Sequence, residues 1–256
     1  LQSSFLSFKI SLRIYSYLQQ LITHQKLKNH HPNVAFVCSS VSWGGLEMNL
    51  LRLAGWIKES KRNVFLFCPI NTPLYKEASE MNIKVVPIRI QRKYYDFRAA
   101  ALLLKQLRQH EIRTVLFSHN RDMSMIATVK WLSRGKINTI YQQQMQLGVD
   151  KKDMLHTIRM KYIDAWVSPL HWLKQQTIQK TNIPPQKIHI IPLATDISKW
   201  DYTDIHTSES RKNMELPSDA FVIGIIGRLD PHKGQESLIR IMPSIIKEHP
   251  KTALLI

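Results

Sequence analysis

Between residues 34 and 192, short apolar runs alternate with longer segments of helical period, and nothing else in the chain restricts its fold as much. The runs occupy residues 34–38, 63–68, 83–86, 114–117, 137–141, 163–167 and 187–191. They are too short for helices, and Val, Ile and Phe are frequent in them. Between them, Leu46, Leu50, Leu53, Ala54 and Ile57 mark one helix face, and Ala100, Leu103, Leu104 and Leu107 mark another. A helix is predicted over 123–132 with Asp122 as its cap, and Ser168-Pro169 reads as the cap and first residue of a further one. Regular alternation of strand and helix predicts an α/β fold with a doubly wound, mainly parallel sheet, because a parallel connection has to cross over the sheet. Such sheets bind ligands beyond the carboxyl ends of their strands. The residues after each run therefore carry the functional reading.

The first of these loops, residues 39–45, closes on Gly44-Gly45 and leads through Glu47 into a helix. Helix N–H groups and the positive end of the dipole face such a loop, and glycine lets a ligand approach the backbone; a plain tight turn has the same composition. The fourth run is followed by Ser118-His119-Asn120-Arg121, which sets His119 and Arg121 at a strand end. After the fifth come Gln142, Gln143, Gln144 and Gln146, whose amides both donate to and accept from hydroxyls. Arg89, Arg92, Lys93 and Arg98, interleaved with Tyr94, Tyr95 and Phe97, read as a solvated loop or as a grip on an anionic chain.

A second strand–loop–helix begins at Phe221. The apolar run ends at Gly227, Arg228 and Lys233 bracket a polar turn, and Leu238, Ile239, Ile241, Met242, Ile245 and Ile246 recur at helical spacing behind it. Two cations and a helix N-terminus suit a diphosphate. The order Lys233-Gly234-Gln235 excludes a Walker loop, and Gly224 and Gly227 lack the third glycine of G-x-G-x-x-G. The net charge of +17 favours an anionic partner. Cys38 and Cys68, both at strand ends, form no disulfide framework and read as reduced core residues, and no metal-ligand spacing is present in the sequence.

Gly227-Arg228-Leu229-x-x-x-Lys233-Gly234 resembles the signature of the GT-B glycosyltransferases, in particular the large retaining family 4. Together with Ser42-Trp43-Gly44-Gly45-Leu46-Glu47, it is most similar to bacterial members that build lipopolysaccharide or surface glycans. The resemblance covers most of residues 34–256. It implies two Rossmann-like domains, an acceptor domain over 34–199 and a donor-binding domain from 219, joined by a polar connection over 200–218. The chain stops at Ile256 inside an apolar run, so the second domain is expected to be incomplete, without the paired glutamates and base-binding part of the family.

The resemblance also implies roles. Arg228, Lys233 and Gly227, with Gly44 and Gly45, would hold the donor diphosphate. His119 would be the catalytic residue beside the donor sugar. Glu47, Arg121, Gln143, Gln144 and Asp196 would line the acceptor side of the cleft. Asp196 matches the family's Asn-Gly-Val/Ile-Asp crossing, where Ala194 and Thr195 replace Asn-Gly. The implied reaction moves a sugar from a nucleotide-diphosphate donor to a lipid-linked or glycan acceptor with retention. Cations stabilise the leaving diphosphate, and no cofactor or metal is expected. The expected location is the cytoplasm, peripheral on the inner membrane face. The rival readings are a nucleotide-sugar epimerase of the same fold and a non-catalytic basic module for membrane or nucleic acid, for the second of which no nucleic-acid motif speaks. Residues 1–33 contain no acidic residue, and place Leu6, Ile10, Ile14, Tyr17, Leu18 and Leu21 at helical spacing among basic ones. They read as a surface helix on anionic lipid or as an extension packed on the domain, with no apolar run long enough to span a bilayer.

Overall fold

The computed structural model describes residues 33–89, 96–196, 207–227 and 229–256. The basic N-terminal extension, the stretch Arg92 to Tyr95 and Arg228 lie outside those residues. The chain divides into two compact units, Leu1–Ile197 and Ser198–Ile256.

The first unit is built on seven strands: β1 (Val34–Val37), β2 (Val64–Cys68), β3 (Lys84–Pro87), β4 (Thr114–Phe117), β5 (Asn138–Gln142), β6 (Ala165–Ser168) and β7 (Ile188–Ile190). They form one sheet in the order β3-β2-β1-β4-β5-β6-β7, with every neighbouring pair parallel. Between them run α1 (Gly45–Glu59), α2 (Pro73–Glu80), α3 (Phe97–Gln109), α4 (Asp122–Leu132), α5 (Met154–Lys161) and α6 (His171–Lys180). The expected doubly wound α/β architecture is the one observed. The strand period of two divides the core. Val34, Phe36 and Cys38 face α1 and α2 through Leu50, Ala54 and Leu74, while Ala35 and Val37 face α3 and α4 through Leu103, Leu107, Ile126 and Val129. Register aligns Phe67, Val37, Phe117, Tyr141 and Trp166 in one row across five strands. Tyr141 and Trp166 meet edge to face at 4.4 Å between centroids. Burying each of the large side chains in this row contributes roughly 1.5–3 kcal/mol, which fixes the register against a slip.

Two short helices, α2 and α5, have no counterpart in the sequence reading. Each is 8 residues long with only two buried residues, too few to show a period. Two predicted caps are corrected. Asp122 does not cap α4: the turn closes early through Asp122 N–H to His119 O (3.0 Å), so Asp122 is already the first helical residue and Arg121 occupies the cap without a side-chain bond. Ser168 does not begin a helix either. It ends β6, and α6 starts three residues on, with Leu170 in the cap position. There β6 pairs with β7 through Ser168↔Ile190, which holds the serine in extended backbone.

The second unit holds α7 (Thr207–Asn213), β8 (Phe221–Gly224), a 3-10 turn (Pro231–Lys233), α8 (Gln235–Glu248) and β9 (Thr252–Leu255). Helix α7 lies where the sequence reading places only a polar connection. Strands β8 and β9 pair in parallel and make a two-stranded sheet among the described residues. Its apolar side chains are far wetter than those of the first unit: Phe221 is 71% exposed. No helix among the described residues is long and apolar enough to cross a membrane.

Candidate functional site

In the first unit the strand order reverses between β1 and β4, and the crevice at such a switch point is where open α/β sheets hold ligands. Two predicted segments meet there. From β1 comes the loop ending in Gly44-Gly45, and from β4 comes Ser118 to Arg121. They are joined by Ser39 Oγ and His119 Nδ1 at 3.1 Å, and by the Ser39 backbone N–H donating to Asp122 Oδ2 at 3.0 Å. His119 is half-buried. Asp122 is 0% exposed, and burial pushes its carboxyl above the ordinary value against the opposing pull of its Ser39 bonds and the nearby His119.

Gly44 has extended backbone (φ −165°) and caps α1 with no side-chain bond, leaving the first amides of the helix without a capping acceptor. A Cβ at Gly45 would meet nothing within 4 Å, so neither conformation nor packing inside the chain demands glycine there. Its effect is to keep the approach to those amides open. Glu47 is buried in the first turn, and its Oε2 lies 3.6 Å from where a Gly44 Cβ would stand. The site therefore pairs open helix amides with a carboxylate, a combination suited to holding a hydroxyl between donor and acceptor. Arg121 is exposed, with no hydrogen bond or ion pair for its guanidinium among the described residues.

The glutamines separate into two roles. Gln143 is 0% exposed. Its Oε1 accepts from Trp166 Nε1 (3.0 Å), Ser168 Oγ (3.0 Å) and Thr177 Oγ1 (3.2 Å), and its Nε2 donates to Met145 O (3.1 Å). An amide so fully used has nothing left for a substrate, so the expectation that Gln143 lines the cleft is corrected: it ties β5, β6 and α6 together. Gln144 is half-buried and connects α1 to the strand ends, accepting from Asn49 Nδ2 (2.9 Å) and donating to Leu46 O (3.3 Å). Arg52 continues this chain, donating to Asn49 Oδ1 (2.9 Å) and Ala194 O (3.2 Å). It thereby holds the segment that replaces the family's Asn-Gly and leads to half-buried Asp196. Between α1 and the strand ends lies an apolar cavity of about 30 Å³ lined by Leu53, Trp56, Leu116, Val167 and Leu193. That is room for water, far below the ~300 Å³ of a small-molecule pocket.

The second unit carries the other predicted loop. Asp230 Oδ1 accepts from His232 N–H (2.9 Å) and tightens the 3-10 turn. Gly234 follows in the left-handed region (φ +87°), which selects glycine, and caps α8 without a side-chain bond. Lys233 is exposed beside this helix start. A Cβ at Gly227 would stand 3.6 Å from Gln235 Nε2, an ordinary contact. The sequence reading singled out the histidine, the glycines and Lys233, and missed Ser39, Asn49 and Arg52, whose roles come from contacts across 80 to 142 residues of sequence.

Comparison with known proteins places this arrangement. Residues 43–199 match the sequence model of Glycosyltransferase Family 4. A 95-residue segment is 33% identical to the phosphatidylinositol N-acetylglucosaminyltransferase GPI3 subunit of Saccharomyces cerevisiae, covering 37% of this chain and 20% of that protein. Among solved structures, a glycosyltransferase from Rickettsia africae superposes with a TM-score of 0.73 at 14% identity, over 88% of this chain and 68% of that one. Anabaena Alr3699/HepE in complex with UDP and glucose superposes with 0.69 at 16%, over 88% of this chain and 61% of that one. The chain thus spans a fifth of its curated relative and under two thirds of HepE. The GT-B fold expected from the sequence is the fold found, and with a match that covers the glycine loop, His119 and Asp196, the chain belongs to Glycosyltransferase Family 4.

Proposed function

We propose that this chain provides the acceptor-side domain and the diphosphate loop of an enzyme that transfers a sugar from a nucleoside-diphosphate donor to a lipid-linked acceptor, with retention of anomeric configuration. The observation that carries the reading is the switch point itself. The Gly44-Gly45 helix start and His119 converge there, within the segment that matches Family 4. The yeast relative, a phosphatidylinositol N-acetylglucosaminyltransferase subunit, supports a phospholipid acceptor, and the UDP and glucose bound to HepE support a uridine donor. Lys233 and Arg228 would neutralise the departing diphosphate, helped by the uncapped start of α8. Arg121 would steer the acceptor. A role in lipopolysaccharide or surface-glycan assembly fits the same chemistry. The charge of +17 suits peripheral association with an anionic membrane face on the cytoplasmic side.

The test offers UDP-glucose and UDP-N-acetylglucosamine with phosphatidylinositol or lipopolysaccharide-core acceptors and follows UDP release and product anomer. Acceptor-dependent release with a retained anomer supports the reading. A sugar nucleotide altered without any acceptor would replace it with the epimerase, and no turnover with any donor, in a protein that carries both complete domains, would remove it.

A further inference from the structure

Helix α5 is built inside out. Its arginine is buried: Arg159 is 6% exposed, with Nη1 donating to Ser124 Oγ at 3.0 Å and Nε to Leu155 O at 3.2 Å. Its outward face is apolar. Met154 is 78% exposed, Leu155 and Ile158 are exposed too, and the spacing i, i+1, i+4 sets all three on one side of the helix. A surface helix ordinarily buries its apolar stripe and turns its charges to water. The segment leading into α5 repeats the inversion with exposed Met145 and Val149. That segment is no loose loop. Leu147 is buried, its N–H donates to Gln176 Oε1 (2.8 Å) and its carbonyl accepts from Lys180 Nζ (3.0 Å). Lys151 N–H donates to Lys180 O (2.7 Å), and Asn182 Nδ2 donates to Lys152 O (3.1 Å) and to Thr157 Oγ1 (2.9 Å). The frame thus holds five apolar side chains toward solvent.

Basic residues border this face. Lys152 and Lys161 are exposed and Lys151 is half-buried; against them stand Asp150 and Asp153, the second already bonded to His156. Apolar side chains beside lysines, on a chain of net charge +17, complement an anionic leaflet: the headgroups meet the cations and the acyl boundary takes the side chains. A second copy of the chain docked face to face would set lysine against lysine. We propose that residues 145–161 form a docking platform for an anionic phospholipid bilayer, in which Met145, Val149, Met154, Leu155 and Ile158 enter the headgroup–acyl boundary and Lys152 and Lys161 meet the headgroups. The platform begins beside the site, since Met145 follows Gln144, whose amide reaches Leu46 O at the start of α1. As the approach for a lipid-linked acceptor, it rests on the glycosyl-transfer reading. As a lipid-binding surface, it does not.

The test attaches a solvent-sensitive fluorophore to Met154→Cys in the full 256-residue chain. Cys38 and Cys68 are buried, so the new thiol alone is labelled in the folded protein. With vesicles of mixed phosphatidylglycerol and phosphatidylcholine, the emission is expected to move to the blue and gain about twofold or more in intensity. A label at Leu102→Cys, exposed on α3, stays unchanged. In sedimentation with the same vesicles, the double variants Met154→Ser with Ile158→Ser and Lys152→Glu with Lys161→Glu each lower vesicle affinity at least about tenfold. All four positions are exposed, so the fold is retained, which circular dichroism checks. Three results overturn the proposal: no shift at Met154 with anionic vesicles, a shift that grows with protein concentration in their absence, which assigns the face to a second copy, or an affinity unchanged in both double variants. Vesicle binding through these residues with no sugar transfer, in a protein that carries both complete domains, discards the glycosyl-transfer reading and keeps the platform. Transfer to a water-soluble acceptor without vesicle binding does the reverse.

Discussion

Replacing Gln143 by Ala tests whether this residue is an internal brace or part of a cleft. Three donors converge on its Oε1, but they do not lose equally when it goes. The Ser168 hydroxyl can turn to Leu170 O at 3.4 Å, and the Thr177 hydroxyl already has Leu173 O at 2.9 Å. Trp166 Nε1 has no such alternative, and Trp166 is 0% exposed. One buried orphan donor costs about 1–3 kcal/mol, and deleting buried side-chain atoms adds about 1 kcal/mol, so Gln143→Ala should lose roughly 2–4 kcal/mol. With a urea m-value of about 2 kcal/mol/M, the unfolding midpoint of the first unit falls by roughly 1–2 M. Tryptophan fluorescence, from six residues of which Trp166 is fully buried, follows the transition. Gln144→Ala, on a half-buried residue whose partners can reach water, should lose no more than about 1 kcal/mol. An unchanged midpoint in Gln143→Ala, with turnover abolished, would refute the reasoning and return this glutamine to the substrate.

Four further outcomes follow from the same geometry. Gly45→Ala meets no atom within 4 Å, so stability should stay within about 0.5 kcal/mol while turnover drops at least about tenfold; retained turnover would detach this loop from the ligand. Lys233→Ala, on an exposed side chain, should leave melting unchanged and slow turnover roughly a hundredfold, equivalent to about 3 kcal/mol of barrier. Asp122 has its folded-state carboxyl raised by burial, so its contribution to stability is full below the ordinary value of 3.8 and is lost as pH rises through the folded value. Asp122→Asn should therefore gain melting temperature over wild type near neutral pH and lose that advantage in acid, which paired melts across pH will show. Cys38 and Cys68 have thiols pushed up to about 12, chiefly by burial, so neither should react with a thiol probe at pH 8 until the chain unfolds, when 2 equivalents appear.

The sheet was legible because its signal is local. Four to six apolar residues between helical periods identify β1, β2, β4 and β5 to within one or two positions. The placement of the glycine loop and His119 at strand ends was legible because each follows an apolar run of the parallel sheet. What escaped was everything decided by a partner far along the chain. Asp122 looks like a cap because aspartate before an apolar period usually is one, yet its acceptor strength is directed to Ser39, 83 residues away. Ser168-Pro169 has the composition of a helix start, but pairing with β7 overrides it. Gln143 and Gln144 are adjacent and alike in sequence, and only the packing of Trp166 and Thr177 against one of them separates brace from connector.

The bare flanks of the β8–β9 pair have a consequence for handling the protein. Each outer flank offers a row of main-chain groups without a ladder partner among the described residues, and Phe221 stands on one of the two strands. Such flanks are templates for extended segments of other molecules, as are the outer flanks of β3 and β7 in the seven-stranded sheet. Mutual repulsion from a charge of +17 opposes that growth in dilute buffer. Salt screens it over about 10 Å at 0.1 M, so concentrated samples should turn turbid as salt is raised.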